Sequence, residues 1–166
     1  MRLCSYDMLR LSDLENAVTE VHSYFDEWDE KQGGGDDEAA NQGNAVHEAR
    51  LAVHEWMANL VQHANFRGRR PRIDLDVQRN GSSIRCVITD NSDGFDLKRQ
   101  LEKAYDKNNV QALADRGMGL LMLQACASKL SYEATDEGRY RLSFQVPLDS
   151  GSRNGFNTSI TKRDAA

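Results

Sequence analysis

Apolar and polar positions along the chain fall into two rhythms. Leu14, Ala17, Val18, Val21, Tyr24, Phe25 and Trp28 recur at helical spacing behind a Ser12-Asp13 cap, which predicts an amphipathic helix over about 12–30. Val46, Ala49, Val53, Trp56, Met57, Leu60 and Val61 predict a second over about 45–64, closed by Gly68 and Pro71. Then the period changes to two. Ile73, Leu75 and Val77 alternate with polar residues, and so do Ile84, Cys86 and Ile88 after Asn80-Gly81. With Asn-Gly as a type I′ turn, Val77 is expected opposite Ile84, Leu75 opposite Cys86 and Ile73 opposite Ile88, all on one face. Residues 130–134 and 140–146 alternate likewise, and a turn at 137–139 would set Ala134 against Leu142 and Tyr132 against Phe144.

Between these elements the pattern weakens. Leu3, Tyr6 and Met8 suggest a short N-terminal strand, and residues 31–44, KQGGGDDEAANQGN, read as a flexible loop. Residues 97–115 are charged and read as a mobile segment with some helix, followed by an apolar helix from Leu120 to about Ser128. Beyond Pro147 the chain is polar. The expected organisation is therefore one α+β domain over 1–148, a two-layer sandwich with helices on one face of a mixed, mostly antiparallel sheet, and a disordered tail over 149–166.

Composition narrows the partners. The 166 residues are 39% hydrophobic and 28% charged, with net charge −5, values that suit a globular domain and disfavour a nucleic-acid or anionic-membrane surface. Cys4, Cys86 and Cys126 are far apart and lack metal-ligand spacing, so Cys86 and Cys126 are expected as buried free thiols. Neither a signal-peptide pattern nor an apolar run of membrane length is present, and a cytoplasmic location is expected.

Three segments carry candidate chemistry. Glu55, Asn59 and His63 stand at i, i+4 and i+8, along one stripe bordering the apolar side of the second helix. His54-Glu55 opens like a metalloprotease HExxH, but Ala58 stands where the second histidine belongs. His47 and His54 lack a third ligand at metal spacing and read as edge histidines. Asp90-Asn91-Ser92-Asp93-Gly94 follows a strand: a carboxylate there can accept from an exocyclic amine while glycine lets backbone approach a flat ring. Arg116, Gly117 and Gly119 precede an apolar helix, whose free N–H groups suit phosphate. Taken singly, these segments fit equally a solvated helix edge, an Asx-rich turn and a common helix start.

In this order, ExxxNxxxH, D-x-x-x-G and R-G-x-G-L resemble the GHKL ATPase superfamily over roughly residues 45–147. LAVHEWMANLVQHANF, CVITDNSDGFD and DRGMGLLMLQACASKLSYE further resemble the bacterial anti-sigma-factor serine-protein kinases (RsbW-like). The resemblance implies the Bergerat-type ATP-binding fold, ATP and Mg²⁺ as ligands, and phosphorylation of a serine on an anti-anti-sigma (STAS-domain) partner by a protein that also holds a sigma factor. It implies Glu55 as general base, Asn59 as the Mg²⁺ ligand, His63 near the phosphates and Asp90 on the adenine amino group. Gly94 would pass beneath the base, Arg116, Gly117 and Gly119 would hold the triphosphate, and residues 96–116 would form the lid. Relatives commonly form dimers, which leaves a homodimer open. Two alternatives stand beside this reading: a nucleotide-gated partner switch without kinase activity, and a histidine-kinase-type catalytic domain. The family's D-x-G-x-G has Ser92 at its first glycine; if that position needs φ > 0, serine is strained there by roughly 1–3 kcal/mol.

Overall fold

The computed structural model describes residues 2–7, 19–20, 22–23, 25, 27, 36–94, 96–99, 101, 118–148 and 157–161. In chain order these give β1 (Arg2–Asp7), α1 (Asp36–His63), β2 (Arg72–Asn80), β3 (Ser83–Asp90), α2 (Met118–Cys126), β4 (Lys129–Ala134), β5 (Tyr140–Pro147) and β6 (Asn157–Thr161). Residues 19, 20, 22, 23, 25 and 27, within the first expected helix, are helical.

The strands form one sheet in the order β1-β2-β3-β5-β4-β6. Four neighbouring pairs run antiparallel, and β4 with β6 runs parallel. The alternation read from the sequence decides which face is covered. Ile73, Leu75, Val77, Ile84, Cys86, Ile88, Leu142, Phe144 and Val146 are buried and form one core with Ala49, Val53, Trp56, Met57 and Leu60 of α1 and Leu123 of α2. The fold is thus the α+β sandwich expected, helices against one face of a mostly antiparallel sheet. Cys86 and Cys126 are free and buried, and burial pushes the Cys86 thiol far up, which keeps it protonated and inert. No helix among the described residues is long and apolar enough to cross a membrane.

Both hairpins keep their faces but differ from the expected register by two residues. Val77 pairs with Cys86, Leu75 with Ile88 and Ile73 with Asp90, while Asn80 and Ser83 close the ladder. The turn residues are therefore Gly81 and Ser82. Gly81 has φ 60° and Ser82 has no positive φ, the signature of a type II′ turn with glycine first. In the second hairpin Ala134 pairs with Tyr140, Tyr132 with Leu142 and Leu130 with Phe144. Thr135 N–H donates to Arg139 O at 2.7 Å, and Gly138 takes φ 71°, so the turn centres on residues 136–138.

Two further expectations are corrected. Residues 36–44 are helical rather than loop, extending α1 by more than two turns. The polar stretch read as a tail contains β6, whose backbone groups bond along the outer edge of β4.

Candidate active site

The turn after β3 accounts for its sequence residue by residue. Asp90 is fully buried; its Oδ1 accepts from Ser92 N–H at 2.9 Å, whereas its Oδ2 has no hydrogen-bond partner. Desolvation raises the Asp90 pKa, against the opposing pull of the Ser92 hydrogen bonds and the Arg139 guanidinium. Asn91 staples the turn to the segment leaving α1: its Oδ1 accepts from Arg72 N–H at 2.8 Å, and its Nδ2 donates to Arg70 O at 2.9 Å. Ser92, 1% exposed, accepts from Gly94 N–H on its Oγ at 3.1 Å. It lies outside the left-handed region, so the strain that serine would suffer at positive φ does not arise. Asp93 pairs with Arg67 and, at 3.2 Å, with Arg69, and its N–H donates to Asn65 O at 2.9 Å.

These bonds join the turn to the segment that follows α1, and so hold the carboxylate near the end of the helix that carries the Glu55 stripe. Glu55 and Asn59 are half-buried at the rim of the α1 core face, and His63 is exposed one turn further. His54 instead turns toward the first helical segment, its ring centroid 5.6 Å from that of His22. His47 Nδ1 bonds Arg50 Nη2 at 3.0 Å. Among the described residues no group of three or more His, Cys, Asp or Glu could hold a metal ion.

Gly94 has φ +71°, which explains the glycine. The space on its Cβ side is already taken, though: an added Cβ would lie 2.4 Å from Cε1 and Cζ of Tyr140. Tyr140, which belongs to none of the three motif segments, stands directly across the β3–β5 ladder from Asp90. Its ring stacks on Tyr132 at 5.5 Å, and Tyr132 meets Trp56 edge-on at 5.4 Å.

At the other end, Gly119 is the second residue of α2, while Arg116 and Gly117 lie outside the described residues. So does most of the expected lid. Its beginning is anchored: Asp96 Oδ1 accepts from Arg99 N–H at 3.1 Å as a helix cap, and Leu97 and Leu101 are buried. On the opposite face of the sheet, a cleft of about 350 Å³ is lined by Asp74, Arg85, Thr89, Arg139 and Arg141 among others; none of the candidate residues lines it.

Comparison with known proteins gives the class. Residues 11–143 match the histidine kinase-like ATPase domain family, and the chain belongs to that family. No curated protein matches the chain. Among solved structures, it is similar to the histidine kinase domain of the blue-light activated histidine kinase from Erythrobacter litoralis EL346. That similarity has a TM-score of 0.46 and 13% identity, and covers 86% of this chain and 62% of the other. The chain thus spans less than two thirds of that structure's length.

Proposed function

We propose that this chain binds ATP with Mg²⁺ and transfers the γ-phosphoryl group to a serine of an anti-anti-sigma STAS-domain protein, and that it also sequesters a sigma factor. The observation that carries nucleotide binding is Asp90 Oδ2, a buried acceptor without a donor. A carboxylate so placed fits an exocyclic amine, the group by which adenine differs from guanine at that edge. The step to a serine kinase rests on the sequence resemblance together with the Glu55–Asn59 pair on the rim of α1.

In this reading Asn59 would hold Mg²⁺ through its side-chain oxygen, a donor that suits a hard cation, and the ion would offset phosphate charge. His63 sits toward the phosphates; Arg116, Gly117 and Gly119 hold the triphosphate at the start of α2. Glu55 accepts the proton of the serine hydroxyl as its oxygen bonds to the γ-phosphorus, and the bond from that phosphorus to the leaving oxygen of ADP breaks. The protein acts in the cytoplasm and touches neither nucleic acid nor membrane directly. Strain at Ser92 would favour a partner switch without transfer; its unstrained backbone and its bond to Gly94 weaken that alternative.

Titration with ATP, with and without Mg²⁺, tests binding, and a phosphoserine assay with a STAS partner tests transfer. Glu55→Gln should leave ATP affinity within about two-fold while lowering transfer by roughly 10²–10⁴, the usual yield of a general base. Undiminished transfer by this variant would remove Glu55 from the mechanism.

A further inference from the structure

We propose that Tyr140 is the base-stacking residue of the site, forming the aromatic wall against which a purine lies while Asp90 Oδ2 takes its amino group. This rests on the nucleotide reading above. It goes beyond that reading by assigning the base-stacking contact to a residue outside all three sequence segments.

Register is the first ground. Tyr140 and Asp90 are direct partners in the antiparallel β3–β5 pair, so their side chains leave the sheet on the same face, with Cβ atoms about 5 Å apart. That face is the one covered by α1, since the adjoining partners Ile88 and Leu142 are fully buried. The second ground is immobilisation. The ring stacks on Tyr132 with 19° between planes, and Cε1, Cζ and Cδ1 approach within 2.4–2.7 Å of where a Cβ on Gly94 would stand. A ring held on two sides is a preorganised surface, and it loses little freedom when a base arrives. The third ground is access: Tyr140 is only half-buried, and it stands beside a carboxylate oxygen that lacks a donor.

The arrangement also gives Gly94 a revised purpose. Its missing side chain makes room for the Tyr140 ring, and through that ring for the base. Gly94→Ala should therefore disturb nucleotide binding by pushing Tyr140, and the disturbance should shrink when Tyr140 is already gone. The backbone strain of alanine at φ +71° is common to both backgrounds and cancels in the comparison.

The experiment is calorimetric titration of ATP and ADP into the wild type, Tyr140→Phe, Tyr140→Leu, Gly94→Ala and the Gly94→Ala/Tyr140→Leu pair. Tyr140→Phe should bind ATP within about two-fold of wild type. Tyr140→Leu should lose roughly ten-fold for ATP and for ADP, as expected for one base–aromatic contact. The pair should show coupling rather than additive losses. Wild-type affinity or better in Tyr140→Leu, or strict additivity, would overturn the assignment. A second measurement does not depend on how the variants fold: nuclear Overhauser contacts between a labelled Tyr140 ring and adenine H2 or H8 in the wild-type complex. Their absence also overturns it. If the wild type binds no adenine nucleotide, the proposed function fails as well. If it binds and Tyr140→Leu binds equally, Tyr140 alone loses its role.

Discussion

Asp90 keeps a carboxylate in a place where water cannot reach it, with one oxygen answered by Ser92 and the other by nothing. Such a group burdens the native state once ionised. Because folding raises its pKa, its favourable contribution is complete below the ordinary carboxylate value of ~3.9 and is lost as pH rises through the raised value. Asp90→Asn keeps an oxygen for Ser92 N–H but cannot ionise. Its stability relative to wild type should therefore climb between pH 3 and pH 7 in thermal melts, while ATP binding is abolished. A flat difference across that range would mean that Asp90 is not the ionising group described. The Asp90–Gly94 turn was legible in the sequence as a motif, but its internal logic was not. Ser92 looked like a defect because its residue type alone cannot reveal φ. The bond from Gly94 N–H to its Oγ is what makes serine fit.

The elements themselves were set by period, and their pairing by geometry that period does not contain. Alternation fixes parity, so β2, β3, β4 and β5 bury the expected face; a slip of two residues preserves parity, and both hairpins slip by two. Asn80-Gly81 and Gly81-Ser82 are both acceptable turns, and the competition between types I′ and II′ is decided by the ladder rather than by the dipeptide. Gly81→Ala should cost about 1 kcal/mol in chemical denaturation, purely for alanine at positive φ, because nothing lies within 4 Å of the added Cβ. Register also explains why Tyr140 escaped notice. A turn at 137–139 would place it across from Asp136, and only the observed β3–β5 neighbourhood sets it beside Asp90. The α1 stripe, by contrast, needed no partner strand to be seen: Glu55, Asn59 and His63 follow from 100° per residue alone.

At the scale of the whole molecule, long-range pairing was the hidden variable. No local pattern announces that Asn157–Thr161 returns to lie parallel to β4, since parallel pairing is a contact between distant segments. β6 covers the outer edge of β4, whose N–H and C=O groups would otherwise stand open. Truncation after Leu148 should lower the urea midpoint and promote self-association, seen as a shifted elution volume in size-exclusion chromatography. An unchanged midpoint in a monomeric product would show that β6 adds nothing to the sheet. The two ends of the candidate site differ in how the fold supplies them. The base end is built from β3, β5 and the segment leaving α1, tied by Asn91 and Asp93.

The stack that runs from Gly94 through Tyr140 and Tyr132 to Trp56 has an optical consequence. The chain has two tryptophans, Trp28 and Trp56, and Trp56 is 1% exposed with its ring against Tyr132. Replacing Trp28 with phenylalanine leaves a single tryptophan, buried and two rings away from the candidate base contact. Its emission should change when adenine nucleotide is added and stay constant with inorganic triphosphate, so the protein carries its own reporter of which end of the ligand has docked.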